Sequence, residues 1–246
     1  MTEGAFMTEA VRQKSDAVRS LLRRIAREFA PATFANSLGA EDMVLTDLIC
    51  TNALPIEMFT LDTGRLPNET YALIDAIAVR YGMRMRMMFP RREAVESYVN
   101  NHGVNGFYAG VELRKACCHM RKVEPLGRAL AGKRAWITGL RRSQSVTRNN
   151  LAVESYDAEH GLLKFNPLAD WSGEEIWAYI RARQVPYHAL HDRGYPSIGC
   201  APCTRAVAPG ESIRAGRWWW ESPGSKECGL HPGPDGRLQP AREETV

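Results

Sequence analysis

Short apolar segments alternate along this chain with segments whose apolar residues recur at helical spacing. Residues 32–38, 55–61 and 134–140 have the length and apolar character of buried strands. Residues 43–49 and 68–81 have the apolar pattern of helices that pack against a sheet. Strands that alternate with helices form parallel sheets, because each helix returns the chain to the same end of the sheet. The pattern therefore predicts an α/β fold with a twisted parallel sheet flanked by helices.

Further elements are predicted around this sheet. An amphipathic helix precedes the first strand and ends before Pro31. Residues 83–89 alternate Met and Arg, which is the period of a half-buried strand near an edge of the sheet. Residues 151–165 are predicted to form an edge hairpin, and residues 172–184 a helix with a capped start. Within the helix at residues 68–81, the residues expected on the buried face are Tyr71, Ile74, Ile77 and Ala78.

Glycines and polar residues follow three of the predicted strands. The turns are residues 37–42 (Ser-Leu-Gly-Ala-Glu-Asp), 62–65 (Asp-Thr-Gly-Arg) and 138–145 (Thr-Gly-Leu-Arg-Arg-Ser-Gln-Ser). Ligands of open parallel sheets bind beyond the carboxyl ends of the strands, so these turns are expected to share one crevice. A glycine turn before a helix also suits a phosphate, because backbone N–H groups and the positive helix end meet there. The alternative to phosphate binding is that Gly39 is needed only for a tight turn.

Four of the six cysteines occur in pairs, Cys117-Cys118 and Cys200-Ala-Pro-Cys203. A Cys-x-x-Cys pair can present two thiolates to one metal centre, although a zinc half-site, a redox dithiol and an incidental pair fit the same spacing. Adjacent helical residues point about 100° apart, so Cys117 and Cys118 suit a polynuclear cluster better than one tetrahedral ion. All-cysteine ligation is typical of iron–sulfur clusters, and zinc accepts it too. We predict that the four cysteines ligate a metal centre and that Cys50 is a core residue.

Cys228 stands apart from the other thiols in the sequence Glu-Cys-Gly-Leu-His. The chain around it is rich in Gly and Pro, a composition that rarely packs as regular structure. Cys228 is therefore predicted to be a nucleophile on a mobile C-terminal segment that closes over the crevice. Residues 218–220 are three tryptophans, which cannot all face one way, so at least one is a candidate for contact with a ligand or partner.

These observations predict a three-part organisation of the chain. Residues 1–30 form an N-terminal helix. Residues 31–203 form the α/β nucleotide- and cluster-binding domain. Residues 204–246 form a C-terminal flexible segment that carries the nucleophilic cysteine.

Basic residues surround the first cysteine pair within residues 111–130, a helical segment that Pro125 is expected to interrupt. They are Arg114, Lys115, Arg121 and Lys122. Such a run of charges is often only a solvated helix face. Here it lies next to two thiols, which favours a role in offsetting the charge of a thiolate-rich cluster and of an anionic substrate.

Composition excludes several classes of protein. The net charge of +4 fits a small anionic substrate and predicts no nucleic-acid partner. No apolar run approaches the roughly 18 residues of a membrane span, so no membrane contact is predicted. The first ten residues lack the basic start and apolar region of a signal peptide. A cytoplasmic protein is expected, with cysteines that bind metal or react rather than form disulfides. The oligomeric state stays open, and a homo-oligomer is compatible with the sequence.

Seven motifs extend over most of the chain. They are Ser37-x-Gly-x-Glu-Asp42, Leu61-Asp-Thr-Gly64, Cys117-Cys118-x-x-Arg-Lys122, Thr138-Gly-x-Arg, Cys200-x-x-Cys203, Arg214-Ala-Gly-Arg-Trp-Trp and Glu227-Cys-Gly-Leu-His231. Together they resemble the assimilatory adenylyl-sulfate reductases, the iron–sulfur, thioredoxin-dependent type of the PAPS/APS reductase family. APS is adenosine 5′-phosphosulfate, and PAPS carries an additional 3′-phosphate. The resemblance implies an adenine nucleotide alpha hydrolase-like (PP-loop-like) fold.

The resemblance also implies a reaction, in which APS is reduced to sulfite and AMP in sulfate assimilation and cysteine biosynthesis. Cys228 attacks the sulfur of APS, AMP leaves, and thioredoxin releases sulfite from the S-sulfocysteine. One 4Fe-4S cluster is implied on Cys117, Cys118, Cys200 and Cys203. Implied catalytic residues besides Cys228 are Lys122, Arg214, Arg217 and His231. Implied substrate-binding residues are Ser37, Gly39, Asp42, Asp62, Gly64, Gly139 and Arg142.

Three other functions remain compatible with parts of the sequence. PAPS reductases keep the last motif but lack the four cluster cysteines, so this chain would be one only if its cysteines bind zinc or nothing. A tRNA-thiolating enzyme would need the Ser-Gly-Gly-x-Asp-Ser turn of ATP-using relatives, and residues 37–42 depart from that turn. A non-catalytic iron–sulfur sensor has no need of the separate thiol of Cys228.

Overall fold

The computed structural model describes residues 7–144 and 149–222, so Cys228 and His231 lie outside the described residues. Six strands form one sheet in the order β3-β2-β1-β4-β6-β5. The strands are β1 (Ala32–Ala35), β2 (Glu57–Leu61), β3 (Arg86–Met88), β4 (Ala135–Ile137), β5 (Glu154–Asp157) and β6 (Leu162–Phe165). The helices are α1 (Glu9–Glu28), α2 (Ala40–Thr51), α3 (Asn68–Tyr81), α4 (Arg92–His102), α5 (Val111–Cys118), α6 (Glu124–Leu130) and α7 (Gly173–Arg183).

Parallel pairing dominates the sheet, as predicted. β1 pairs in parallel with β2 and β4, and β4 pairs in parallel with β6. Phe34 of β1 lies between Met58 and Ile137 and is completely buried. β5 pairs with β6 in the antiparallel sense and lies at one edge, which confirms the predicted hairpin. β3 lies at the other edge, as the Met/Arg alternation predicted.

β1 ends three residues earlier than predicted. Its last residue is Ala35 instead of residue 38. The backbone N–H of Asn36 still donates to the carbonyl of Phe59 in β2 at 2.8 Å, whereas its side chain donates to the hydroxyl of Thr46 and accepts from the backbone of Leu38, both at 2.8 Å. Leu38 has a φ of 65°, a left-handed conformation that is incompatible with a strand. Apolar composition alone did not distinguish these turn residues from strand residues.

The helix at residues 68–81 has the predicted bounds, and Ile77 is buried and Ile74 packs against the core as predicted, but the buried face is rotated away from Tyr71. Thr70, Leu73 and Ile77 are buried, at positions one turn apart along α3. Tyr71 is 38% exposed, so its predicted burial is wrong.

At α7, Ser172 and Glu175 form the predicted reciprocal cap. No described helix is both long enough and apolar enough to cross a membrane.

The chain divides into two compact units. Of the described residues, the first unit comprises residues 7–60, 68–86, 132–144 and 149–189. It contains helices α1, α2, α3 and α7 and a large apolar core. The second unit comprises residues 61–67, 87–131 and 190–222 and contains helices α4, α5 and α6.

In the second unit, the helix that carries the first cysteine pair is irregular at a different place from the one predicted. α5 continues into a π-helical turn, His119–Val123, before α6 begins. The helical backbone continues through Pro125 into α6, since Val123 and Glu124 before it have helical φ and ψ angles. The irregularity directly follows Cys118, and π-helical turns are frequent at functional sites.

Candidate active site

The turn after β1 contains the first predicted nucleotide-binding residues, Ser37 and Gly39. α2 begins at Ala40 with Gly39 as its N-cap, which is the predicted strand–turn–helix junction. Asp42, in the first turn of α2, accepts hydrogen bonds from the backbone N–H and the hydroxyl of Ser37, both at 2.6 Å. The carboxylate of Asp42 therefore holds the turn that is predicted to receive a phosphate.

Asp42 also joins this turn to the one that follows β4. Its buried carboxylate accepts a hydrogen bond from the backbone of Gly139. Burial raises the pKa of Asp42 from 3.8 to about 7, although the hydrogen bonds from Ser37 and Gly139 act in the opposite direction. Asp42 is thus a link between two predicted nucleotide-binding turns. Direct contact of Asp42, Ser37 or Gly139 with substrate stays a prediction.

Gly139 has no room for a side chain at this link. A Cβ at Gly139 would lie 2.0 Å from Oδ1 of Asp42. We expect Gly139→Ala to displace the carboxylate, lower the free energy of unfolding by about 1–3 kcal/mol and weaken AMP binding about 10-fold, equivalent to about 1.4 kcal/mol. Urea unfolding and calorimetric titration would measure the two effects.

Gly127→Ala is the matched control for this substitution. Gly127 lies within α6, and a Cβ there would meet no atom within 4 Å. Alanine is the better helix former, so we expect stability equal to or above that of the wild type. Wild-type stability and AMP affinity in Gly139→Ala would contradict the role of the link.

Two adjacent arginines follow Gly139, and the structure gives them different partners. Arg142, the predicted substrate-binding residue, donates to the carbonyl of Leu151 at 2.8 Å and forms an ion pair with Asp170. Arg141 is buried and donates from Nε and Nη2 to Oε1 of Glu41, at 2.9 and 2.7 Å. The sequence interpretation missed the Arg141–Glu41 pair, because adjacent arginines look alike in a sequence. A substrate contact of Arg142 stays a prediction.

The turn after β2 contains the predicted residues Asp62 and Gly64. The backbone N–H of Gly64 donates to Oδ1 of Asp62 at 2.8 Å, and Gly64 has a φ of 68°, which favours glycine. Between them, the carbonyl of Thr63 accepts from Arg121 at 2.5 Å, and the hydroxyl of Thr63 lies 3.2 Å from the sulfur of Cys200. The turn is therefore in contact with a cysteine, which the sequence interpretation missed. That all three strand-end turns share one crevice stays a prediction.

All four predicted ligand cysteines line one cavity in the second unit. Its wall combines thiols, cations and aromatic rings. The lining residues are Phe107, Arg114, Cys117, Cys118, Arg121, Lys122, Cys200, Cys203 and Trp218. Lys122, a predicted catalytic cation, thus lies beside the thiols.

The cations of the cavity favour one thiolate over the others. Burial raises the pKa of Cys200, but Lys122, the hydroxyl of Thr63 and two arginines outweigh it, so the pKa of Cys200 lies below its ordinary value. Burial, and then repulsion from Cys200, raise the pKa of Cys203 to about 12. Burial also raises the pKa of Cys117. The protein charges therefore favour the thiolate of Cys200 over those of Cys117 and Cys203.

The lining of the cavity is compatible with the predicted iron–sulfur cluster. Its four thiols match in number and type the ligands of such a cluster, which takes its thiolates on different iron atoms. Among the described residues, no three His, Cys, Asp or Glu side chains are grouped so that they could hold one metal ion. Nε of Arg121 and Nε1 of Trp218 are buried donors with no hydrogen-bond partner in the described part of the chain. Sulfide and thiolate are acceptors that such donors stabilise.

Arg217, a predicted catalytic cation, packs against the second cysteine pair. It donates to the carbonyl of Ile198 at 3.3 Å, and its guanidinium lies 4.7 Å from the centre of the Trp218 ring. A Cβ at Gly199 would lie 2.4 Å from Nη2 of Arg217, so this approach requires glycine. The backbone of Trp218 donates to the carbonyl of Cys203 at 3.1 Å. Arg217 and Trp218 therefore hold the Cys-x-x-Cys loop from one side.

The residues around Arg217 complete the described part of the site. The backbone N–H of Arg217 donates to the carbonyl of Arg214 at 3.0 Å, and a catalytic role of either arginine stays a prediction. Trp218 is 1% exposed and Trp219 is 40% exposed, which confirms that the three consecutive tryptophans do not face one way. The ring of Trp220 packs against Tyr108, with 4.4 Å between the ring centres.

A family model described as the phosphoadenosine phosphosulfate reductase domain matches residues 31–206. The match includes the three strand-end turns and the four cysteines of the cavity. The chain belongs to the phosphoadenosine phosphosulfate (PAPS) reductase family. This membership confirms the resemblance that the seven motifs predicted.

Two relatives within the PAPS reductase family cover nearly the whole chain. The adenosine 5′-phosphosulfate reductase of Allochromatium vinosum is 55% identical over 92% of this chain and 89% of its own. The adenosine 5′-phosphosulfate reductase of Burkholderia cepacia is 53% identical over 92% of this chain and 90% of its own. The similarity therefore extends beyond the residues of the family model.

Solved structures confirm the fold. A PAPS reductase from Candida auris, in a phosphate complex, has a TM-score of 0.67 and 27% identity over 82% of this chain and 98% of its own. Yeast FAD synthetase in complex with FAD has a TM-score of 0.53 and 13% identity over 84% of this chain and 70% of its own. These structures support the predicted adenine nucleotide alpha hydrolase-like fold of the PAPS reductase family.

Proposed function

We propose that this protein is an adenylyl-sulfate reductase, which reduces APS to sulfite and AMP in assimilatory sulfate reduction. The observation that carries the proposal is the cavity in which four cysteines, Arg121 and Lys122 come together. Relatives that are 53–55% identical over nearly the whole chain are named adenosine 5′-phosphosulfate reductases. Thioredoxin is proposed as the reductant. A cytoplasmic location is proposed because a dithiol reductant operates in a reducing compartment.

The proposed first step is nucleophilic attack by the thiolate of Cys228 on the sulfur of APS. The new S–S bond forms as the bond between that sulfur and the bridging phosphate oxygen breaks. AMP leaves with the bond electrons as a phosphate oxygen, so it needs no proton from the protein. A thiolate is the strongest side-chain nucleophile near neutral pH, and cations nearby stabilise it. The product on the protein is S-sulfocysteine at Cys228.

The proposed second step is reduction by the dithiol of thioredoxin. One thiolate attacks Sγ of Cys228, and sulfite leaves with the electron pair of the S–S bond. The second thiol then resolves the mixed disulfide and returns Cys228 to the thiol state. The two electrons that convert the sulfate group to sulfite come from the two thiols of thioredoxin. The cavity cysteines need supply no electrons in this scheme.

Cations lower the cost of bringing the thiolate to the phosphosulfate, because the two reactants are both anions. Lys122, Arg142, Arg214 and Arg217 are proposed for this task. Lys122 lines the cysteine cavity, and Arg217 packs against the Cys-x-x-Cys loop. His231, three residues after Cys228, is proposed as a further catalytic residue. Ser37, Gly39, Asp62, Gly64 and Gly139 are proposed to bind the nucleotide, and Asp42 to hold two of their turns together.

We propose that Cys117, Cys118, Cys200 and Cys203 hold one 4Fe-4S cluster. When bound, such a cluster supplies positive charge to the thiolates and a rigid support for the residues around it. The buried donors of Arg121 and Trp218 suit its sulfur atoms. The same four cysteines favour APS over PAPS, because PAPS reductases lack them.

The substrate preference tests the proposal. Protein purified without oxygen, supplied with thioredoxin, is expected to release sulfite from APS with a kcat/KM at least about 10²-fold above that for PAPS. Omission of thioredoxin should limit release to less than one sulfite per chain. Preference for PAPS would make the protein a PAPS reductase. Sulfite release from neither nucleotide would instead favour a non-catalytic iron–sulfur protein.

A further inference from the structure

Arg114 and Glu221 form a buried ion pair in the second unit. Nε of Arg114 donates to Oε1 of Glu221 at 2.9 Å, and Nη2 donates to Oε2 at 2.7 Å. The two side chains are 0% and 3% exposed. This bidentate geometry is the strongest contact that arginine makes with a carboxylate. Because both charges are desolvated, neither is stable there without the other.

Arg114 connects this pair to the cysteine cavity. It belongs to α5, the helix of the first cysteine pair, and lines the cavity. Its side chain hydrogen-bonds the side chain of Cys118, and its guanidinium lies 4.8 Å from the centre of the Trp218 ring. One buried arginine therefore contacts a predicted metal ligand, an aromatic wall of the cavity and Glu221.

Glu221 lies near the end of the described chain, seven positions before Cys228. Its backbone N–H donates to the carbonyl of Trp218 at 2.9 Å, which closes a turn over residues 218–221. Trp218 has a φ of 42°, a conformation that a bulky residue adopts only where its surroundings impose it. Seven residues of chain reach at most about 25 Å. The position of Glu221 therefore limits the positions that Cys228 can take.

We infer that the Arg114–Glu221 ion pair is a positioning clamp, which fixes the start of the segment that carries Cys228 beside the cysteine cavity. The inference rests on the proposed function, in which Cys228 attacks APS. Stability alone is a poor explanation of the pair, because apolar residues of similar volume stabilise a buried site equally well or better. A clamp contributes instead to rate, because a fixed position of Glu221 restricts the volume in which the thiolate of Cys228, seven positions later, can lie.

Glu221→Gln tests the clamp, because it preserves the size of the side chain and removes its charge. Glu211→Gln is the matched control, since Glu211 receives the same bidentate contact from Arg205, at 2.8 and 2.7 Å, in a more exposed part of the same unit. The measurement is the single-turnover rate of S-sulfocysteine formation at Cys228, followed by acid quench and mass spectrometry. We expect this rate to fall about 10–100-fold in Glu221→Gln and to stay within about 2-fold of wild type in Glu211→Gln.

Two further readouts separate a clamp from a structural support. The affinity for AMP is expected to stay at the wild-type value in Glu221→Gln, and the rate is expressed per iron-containing chain, because the uncompensated charge of Arg114 lies beside Cys118. Glu221→Asp keeps the charge on a shorter side chain, so its rate of S-sulfocysteine formation is expected to lie between those of the wild type and Glu221→Gln. If Glu221→Gln does not fold, Glu221→Asp takes its place in the test. Wild-type rates in these variants, or a loss of rate that only parallels a loss of iron or of AMP binding, would overturn the clamp. Absence of S-sulfocysteine in the wild-type protein would overturn the proposed function, and the clamp with it.

Discussion

Cys228→Ser is expected to abolish sulfite release from APS, by a factor on the order of 10⁴ or more. A serine hydroxyl is not ionised near neutral pH, whereas a thiol is partly ionised and intrinsically more nucleophilic. The other cysteines do not replace Cys228 in this role, because four of them line the cavity and are proposed to be metal ligands. Steady-state sulfite release and intact-mass spectrometry after incubation with APS would measure the loss.

The same variant separates binding from chemistry. The turns of the first unit that are proposed to bind the nucleotide are far along the chain from Cys228, so AMP affinity is expected to remain within about 2-fold of wild type. Cys50→Ala is the matched control, because Cys50 is a half-buried thiol that packs against the core of the first unit. An S-sulfonate adduct in Cys228→Ser, or an activity within 10-fold of wild type, would show that another residue is the nucleophile.

Cys200→Ser is expected to deprive the protein of most of its iron and acid-labile sulfide. Cys200 is 7% exposed, its sulfur lies 3.2 Å from the hydroxyl of Thr63, and its pKa is held below the ordinary value despite burial. Its surroundings therefore favour the thiolate form more than those of Cys117 and Cys203 do. Wild-type protein purified without oxygen should contain about four iron and four sulfide per chain, as a cubane on four cysteines requires. We expect Cys200→Ser to retain less than about a quarter of both.

Iron and sulfide analysis, with a visible spectrum, measures this prediction without reference to activity. Cys50→Ala again serves as the control and should keep the full iron content. Full iron content in Cys200→Ser would contradict the assignment of Cys200 as a ligand. A wild-type protein with zinc, or with no metal, would contradict the cluster itself. Loss of activity in Cys200→Ser would not by itself show what the cluster does, because loss of the metal centre can also unfold the site.

The elements that the sequence predicted best are those with strong local signals. The helix at residues 68–81 has a regular apolar period, and α3 has those bounds. The cap of α7 depends on Ser172 and Glu175, which contact each other across three residues. Errors arose where long-range packing decides the outcome. The segments that pack against α3 determine which of its side chains are buried, so Thr70 is buried and Tyr71 is exposed.

The candidate site shows the same division. Cysteine spacing and type predicted the four cysteines that line the cavity, because thiolate chemistry restricts which side chains can serve. Arg114 was predicted among the cations near the first cysteine pair, but its partner Glu221 and the contact of Thr63 with Cys200 were missed. Threonine and glutamate are common surface residues, and nothing local distinguishes those that are buried at a site. Their positions depend on contacts between parts of the chain that are separated by up to 137 residues.

For this protein, the sequence by itself determined the order of strands and helices, the family and the residue types available for chemistry. Periodicity, caps and cysteine pairs depend on neighbours within a few positions, so they can be read directly from the chain. The tertiary structure alone decided that Asp42 links two turns, that Arg121 and Thr63 support Cys200, and that Arg114 meets Glu221. Those contacts depend on burial and on the low dielectric of the interior, which arise only when distant segments pack together.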